Sequence, residues 1–319
     1  INSGAGLRLT AKSGGKGVRF FKAYAVFSDA NTSSPKIRPI TAELRQCQGT
    51  EDLTAIEALP YETPYGPNNV MRHKDTRGPN GDYDFYSAEF GGVRWMTTNL
   101  SALSYDPVRT DGEPLPTITL YNDYNPTQDD DRASWGYPTR SGSTNAADDN
   151  LSSFNPHYGL LYTWAAATGG RQTSDIESGQ QYPSGGGTQV KVQGICPHGW
   201  HLPSDWEWTQ LEKEIINNTS QYSAYSQNIK DMTGGNIFNE SILFGNRGIL
   251  HGNAMKDNCE PIAAGSDLSY YGGSKRLIEG GFSGLLAGYA CPTATNTDNA
   301  GKSLNLGHIG SFVSASSTG

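Results

Sequence analysis

The chain has 319 residues, of which 35% are hydrophobic and 18% are charged, and its formal net charge at pH 7 is −8. An acidic chain without a cluster of Lys and Arg excludes nucleic acid as a partner, since it offers no basic surface to phosphate backbones. No apolar run reaches the roughly 18 residues that a membrane-spanning helix needs, so we expect no membrane span in this chain.

Two features favour an exported protein. The residues that are neither hydrophobic nor charged are largely Gly, Ser, Thr and Asn, and 17 Tyr, 10 Phe and 6 Trp indicate that most of the chain packs into a core. The cysteines, which form no CxxC pair, are Cys47, Cys196, Cys259 and Cys291. An even, sparse set predicts one or two disulfides, and four reduced buried thiols are the alternative. Because the first residue is Ile1 rather than Met, we also expect that a leader preceded it.

The N-terminal part reads as a small β-rich module. Alternating strand patterns occupy Leu7–Ala11, Val18–Phe27, and Ile37 with Ile40–Leu44, with turn compositions between them. Prolines then accumulate in residues 51–69, which indicates a linker or crossover. The sequence therefore predicts a β-rich segment and linker over residues 1–70, followed by a second domain over residues 71–319.

The second domain opens with a hairpin signature. Asp82–Phe90 and Val93–Leu100 have strand composition, and Gly91 and Gly92 between them suit a tight turn. Two polar inserts, residues 101–150 and 171–188, are long enough to be functional or disordered loops. Between the inserts, the sequence predicts a helix over Tyr158–Thr168.

The clearest local signal is a helix start near residue 204. Ser204 and Glu207 are three residues apart in the arrangement of a capping box. Trp208, Leu211 and Ile215 then recur at helical spacing and form one buried stripe. Short strands are expected at Val190–Val192 and Ile242–Phe244. Segregated helices and antiparallel strands predict an α+β fold.

Four motifs resemble one family. They are Val93–Leu100, Tyr158–Ala166, Gly194–Leu211 and Gly281–Tyr289, and together they resemble the Fibrobacter succinogenes major paralogous domain (FISUMP). Leu202–Trp208 also resembles a signature of the formylglycine-generating enzyme superfamily, which implies a C-type-lectin-like architecture. The resemblance implies an exported or lipid-anchored surface protein (a lipoprotein) of Bacteroidota, in which these motif residues are structural: Trp95, Asn99, Trp164, Cys196, Trp200, His201, Ser204, Glu207, Trp208 and Phe282.

The C-terminal end departs from the family pattern. Where that pattern continues into a final strand that ends in a cysteine, this sequence has Phe312–Ser317 and stops at Gly319. We therefore expect the closing strand and its cysteine to be absent, which would leave Cys196 without its family partner and a groove that a neighbouring strand can fill.

Candidate ligand contacts lie in two loops near the C-terminal end. Tyr and Asn build adaptable polar surfaces at low entropic cost, although ordinary loop composition is the alternative explanation. The predicted ligand-binding residues are Tyr270, Tyr271, Asn253, Asp257, Asn258, Asn296, Asp298 and Asn299. On the helix after the capping box, Trp206 lies off the buried stripe and is a second candidate for a contact surface.

We predict no metal, cofactor or catalytic residue. His198 and His201 have no third ligand nearby in the sequence, so packing is the favoured interpretation. The acidic residues Asp129, Asp130, Asp131, Asp148 and Asp149 suit either a solvated loop or Ca²⁺, but the sugar-binding motifs of calcium-dependent lectins are missing. An oxidase of the formylglycine-generating type needs a cysteine pair, and Cys259 and Cys291 do not match that pattern.

These observations favour an extracellular, adhesin-like binding module for a protein or glycan ligand. The first alternative is a structural or tip subunit of a surface filament or pilus that self-assembles by strand complementation. The second alternative is the oxidase. No nucleic-acid partner is expected in any of the three.

Overall fold

The computed structural model divides the chain into two compact units, Ile1–Leu53 and Thr54–Gly319. The residues that it describes are 18–27, 36–45, 55–109, 115–120, 133–138, 158–170, 191–224, 251–257, 272–290, 303–304 and 310–316. The division lies before residue 70, because Ile56, Leu59 and Val70 are buried in the core of the second unit. Residues 54–70, most of which we expected to form a linker or crossover, therefore belong to that unit.

The first unit contains an antiparallel pair of strands. Strand β1 (Val18–Phe27) pairs with β2 (Lys36–Arg45), and Val18 lies opposite Arg45. The alternating patterns predicted both strands, which are confirmed. The third predicted strand, Leu7–Ala11, lies outside the described residues.

The second unit begins with an antiparallel sheet in the order β3-β4-β5. Its strands are β3 (Met71–Gly78), β4 (Gly81–Phe90) and β5 (Val93–Met96). Gly91 and Gly92 have φ of 58° and 80°, as a two-residue hairpin turn requires. The predicted hairpin is confirmed, but β5 ends at Met96 rather than Leu100.

Strand β3 was not predicted, because its sequence is largely charged and lacks apolar alternation. The buried positions of this strand hold His73 and Asp75 instead of apolar residues. The pKa of Asp75 is raised by burial, but hydrogen bonds and charge from Arg77 outweigh burial and hold it below its usual value. Paired polar groups thus take the place of an apolar stripe.

A second sheet lies partly in the region that we predicted to be loop. Strand β6 (Thr119–Leu120) runs parallel to β7 (Ser134–Gly136), and β7 is antiparallel to β8 (Leu161–Tyr162). The predicted helix over residues 158–168 is wrong in its first half. Leu161 and Tyr162 pair with β7, so helix α1 (Trp164–Thr168) begins only after Thr163 caps it.

The remaining elements follow the predicted capping box. They are α2 (Asp205–Asn217), α3 (Thr219–Tyr222), α4 (His251–Met255), the 3₁₀ helix Leu277–Glu279, β9 (Tyr289–Ala290) and β10 (Ser303–Leu304), with residues 55–57 also helical. Strands β9 and β10 pair antiparallel. Of the predicted strand at residues 190–192, the described residues 191 and 192 form only a bridge, between Val192 and Leu202, and residue 190 is outside the description. The predicted strand at residues 242–244 also lies outside the described residues.

The main core packs the β3-β4-β5 sheet against α2. Leu211 and Ile215 are buried there, as their spacing predicts, and Trp208 packs against the cluster while partly exposed. A smaller cluster contains Val192, Cys196 and other residues. Helices and small sheets together make the fold α+β. Of the helices described, none has both the length and the apolar character needed to cross a bilayer.

Candidate functional site

A groove of about 1000 Å³ lies beside strand β5. Its walls come from residues 92–100, the β8–α1 segment, residues 199–203, the start of α2, and the segments 282–289 and 311–313. Most of its lining is apolar. The aromatic side chains that line it are Trp95, Trp164, Trp200, Trp208, Tyr162, Tyr289, Phe282 and Phe312. We call this feature the aromatic groove.

One wall of the aromatic groove is a stack of rings on the α2 side of the sheet. The ring of Trp208 lies 5.1 Å from Trp95, 6.0 Å from Phe282 and 5.4 Å from Phe312. Phe312 remains 45% exposed, so this cluster is open on the groove side. The rings support one another and leave an apolar surface that is open to the groove.

The opposite wall is built on the other face of the same sheet. Trp200 packs edge-on against Phe85 of β4, with ring centroids 5.6 Å apart, and against His73 of β3 at 5.3 Å. Phe85 and Ala88 are on opposite faces of β4, since side chains alternate along a strand. The aromatic groove therefore has a tryptophan on each side of the sheet at the edge of β5.

The polar end of the groove holds a carboxylate, Glu207, that is already hydrogen-bonded within the chain. Glu207 Oε1 lies 2.8 Å from His201 Nε2, and Glu207 Oε2 accepts hydrogen bonds from the backbone and hydroxyl of Ser204. Burial raises the pKa of Glu207, but the hydrogen bonds from His201 and Ser204 outweigh it and the net pKa lies below its usual value. The Glu207 carboxylate is therefore ionised and already bonded.

Cys196 also lines the groove, as a buried thiol without a disulfide. Burial raises its pKa to about 12. A thiol with such a pKa is protonated at neutral pH and is a poor nucleophile. The other cysteines, Cys47, Cys259 and Cys291, lie outside the described residues, so the predicted disulfides are tested only for Cys196.

Other motif residues fix the segments that form the groove walls. Asn99 donates from its amide to the carbonyl of Tyr158 at 2.9 Å, and the Trp164 indole donates to the Ser314 carbonyl at 3.0 Å. Gly194 has φ of 53°, and a Cβ there would lie 1.8 Å from the Ala167 oxygen. The first contact joins the segment after β5 to the segment before β8, and the other two join α1 to neighbouring loops.

Comparison with known proteins decides the family. The model of the Fibrobacter succinogenes major domain matches residues 88–312, which is more than half of the chain. This chain belongs to that family. No curated protein and no solved structure matches the chain.

The match places the aromatic groove inside the Fibrobacter major domain. The matched region runs from β4 to Phe312 and so includes almost every wall of the groove. The FISUMP motifs that we recognised in the sequence supply many of the lining residues, including Trp95, Trp164 and Trp200. We expected those residues only to hold the core, and the structure places them at an open cavity as well.

The ligand-binding loops predicted for this Fibrobacter major domain are described only in part. Asn253 accepts from Lys256 Nζ at 3.3 Å, and the Asp257 amide donates to the Gly284 carbonyl at 2.9 Å. Neither residue lines the aromatic groove. The predicted residues that lie outside the described part of the chain are Tyr270, Tyr271, Asn258, Asn296, Asp298 and Asn299.

The histidine pair does not converge on one point. The exposed His198 donates its backbone amide to Asp106 at 2.9 Å, whereas His201 contacts Glu207. Within the described ranges, no group of three or more His, Cys, Asp or Glu is arranged to hold a metal ion. The acidic residues 129–131, 148 and 149 lie outside those ranges. Trp206 is partly buried and does not line the aromatic groove.

Sequence reasoning did not find the groove, although one signal pointed to it. Tryptophans recur in three separate family motifs, which is more aromatic surface than the single buried stripe of α2 requires. Their convergence depends on tertiary packing of β5, α1 and the loop at Trp200, which periodicity does not reveal.

Proposed function

We propose that this chain is a non-catalytic, extracellular binding module whose ligand occupies the aromatic groove. The observation that carries the proposal is the groove itself. Its volume of about 1000 Å³ is at the upper end of the ~300–1000 Å³ range of ligand sites. Large rigid aromatic rings bury much area at a small cost in conformational entropy, which makes them effective anchors.

The state of the groove's ionisable groups supports binding rather than catalysis. A nucleophile needs a lowered pKa or an adjacent base, and the Cys196 thiol has a raised pKa. The Glu207 carboxylate already accepts hydrogen bonds from Ser204 and His201. Both groups therefore act in the scaffold of the groove.

Composition and family support an extracellular location with a C-type-lectin-like architecture. Most polar residues of this chain are uncharged, a composition typical of exported proteins. FISUMP proteins are largely exported or lipid-anchored. The arrangement of small sheets beside α1 and α2 is compatible with a lectin-like scaffold that presents loops. The predicted Tyr270 and Tyr271 contacts belong to the same proposal as a second contact surface for a protein or glycan ligand.

Binding screens on the purified chain test the proposed function. The probes are a glycan array and immobilised fibronectin, collagen and mucin. We expect retention on at least one probe and at least about a tenfold loss of affinity in Phe312→Ala, since removing an anchor ring costs more than ~1 kcal/mol. The matched control is Tyr65→Ala, because Tyr65 is 51% exposed and lies outside the groove.

Two outcomes contradict the proposed function. One is that the chain binds no probe. The other is that Phe312→Ala and Tyr65→Ala retain the bound probe equally well, which would place the contact outside the aromatic groove.

A further inference from the structure

The edge of β5 at the aromatic groove carries free backbone groups. Strand β5 is the outer strand of its sheet, and the Thr97 amide donates to the Tyr86 carbonyl of β4 at 2.8 Å. Backbone groups of successive residues in an antiparallel strand point alternately toward and away from the partner. Trp95 and Thr97 therefore bond toward β4, and the N–H and C=O groups of Arg94 and Met96 point outward into the groove.

In the described part of the chain, nothing occupies these outward groups. No backbone hydrogen bond joins Arg94 or Met96 to an element other than β4 within the described ranges. The Thr97 hydroxyl, in a side chain only 4% exposed that also lines the groove, lacks a hydrogen-bond partner there. A buried hydroxyl without a partner costs free energy. Beside it, the unpaired N–H and C=O groups along the edge of β5 are a template on which another strand can pair.

The groove surrounds this edge on both faces of the sheet. Trp95 and Trp208 form the wall on one face, and Trp200, packed on Phe85, forms the wall on the other. An occupant that meets both walls and the edge must lie in the plane of the sheet. An extended strand has this geometry, because its side chains alternate between the two faces.

We propose that the ligand of the aromatic groove is an extended polypeptide strand that adds to β5. This inference rests on the proposed function and names the class of ligand. The strand exchanges backbone hydrogen bonds with Arg94 and Met96. Its side chains are apolar: those on one face pack against Trp208, and those on the other face pack against Trp200. A glycan suits the site less well, because it needs free polar side chains, and Glu207 and Asn99 are already bonded.

We assign the strand to a partner protein, because a second copy of this chain would have to release a strand that the described part of the structure shows as paired. Every strand that the structure describes is already paired within its own sheet. The described part of the chain therefore offers no unpaired strand for donation to a neighbouring copy.

Peptide display tests the inference with a matched pair of substitutions. Random ten-residue peptides displayed on phage are panned against the chain, and the enriched peptide is synthesised. Met96→Pro removes an outward N–H that β4 does not use, and proline is tolerated at such edge positions. Met96→Val removes the same side chain and keeps the N–H. We expect at least about a tenfold weaker peptide affinity in Met96→Pro than in Met96→Val.

A second measurement does not depend on folding of the proline variant. N-methylation of the peptide at every second residue is expected to abolish binding in one register and to leave it nearly unchanged in the other. Loss in one register only is the signature of a strand that bonds along a single edge.

The following outcomes overturn the inference. Three concern the peptide: equal affinity for Met96→Pro and Met96→Val, no dependence on the register of N-methylation, or no enriched peptide at all. The fourth is that this chain alone forms polymers at high concentration, which would assign the edge of β5 to a second copy. If Phe312→Ala still weakens binding of a glycan or protein probe, the proposed function stands while the strand inference fails.

Discussion

At the scale of single residues, Ser204 and Glu207 have two roles. Together they form the capping box that starts α2, with the Ser204 hydroxyl accepting from the Glu207 amide at 3.2 Å. The Glu207 carboxylate also holds His201 at the polar end of the aromatic groove. The start of the helix and the shape of the groove thus depend on the same pair of side chains.

We predict that Ser204→Ala lowers the free energy of unfolding by about 1 kcal/mol, the typical cost of losing an N-cap side chain. Urea denaturation followed by circular dichroism measures it. Ser220→Ala is the matched control, since Ser220 is exposed on α3, and its effect is expected to be within about 0.5 kcal/mol. Equal effects of the two substitutions would show that the capping box contributes no stability.

At the scale of elements, the β4–β5 turn determines where the edge of the aromatic groove lies. Gly91 and Gly92 both have positive φ, and the Gly91 amide donates to the Tyr222 hydroxyl at 3.2 Å. A slip of one residue in this turn would exchange the two faces of β5. Trp95 would then leave the core face where it meets Trp208.

We predict that Gly92→Ala lowers the free energy of unfolding by about 1–2 kcal/mol, because an L-residue pays this cost at positive φ. Gly92→Asn is expected to cost less, since Asn tolerates this conformation. A Cβ at Gly92 meets no atom within 4 Å, so the cost is conformational rather than steric. Thermal unfolding compares both variants with Gly252→Ala, a helical position with open space and no positive φ. Stability of Gly92→Ala equal to that of Gly252→Ala would contradict the prediction.

At the scale of the whole molecule, features that depend on neighbouring residues could be predicted from the sequence. Features built from segments far apart in the chain could not. The capping box, the stripe of Leu211 and Ile215, and the Gly91–Gly92 turn each depend on neighbouring residues, and all three are present. Strand β3 was missed because the buried Asp75–Arg77 ion pair and the buried ring of His73 replace its apolar alternation. The aromatic groove was missed because its walls come from segments far apart in the sequence, and no periodicity links Trp95 to Trp200.

Buried His73 is the group through which we expect the stability of the molecule to depend on pH. Its ring nitrogens lie 2.8 Å from Glu62 Oε1 and 2.7 Å from Ser87 Oγ, and its ring stacks on Phe85 at 4.7 Å. Burial lowers the pKa of His73, and the Arg94 charge lowers it further, whereas Glu62 opposes both. In the folded state His73 therefore takes up its proton at a lower pH than in the unfolded chain.

We predict that the free energy of unfolding falls as pH drops below about 6.5, the pKa of an unfolded His, because the unfolded state is protonated first. The fall continues until pH passes the lower pKa of folded His73, and its slope is at most about 1.4 kcal/mol per pH unit. Asp75 and Glu207, whose folded pKa values are also lowered, extend the loss only below about pH 4. Urea midpoints between pH 8 and pH 5 measure the slope. His73→Gln is expected to flatten it and His198→Gln, at an exposed position, to preserve it; an unchanged slope in His73→Gln would assign the dependence to other groups.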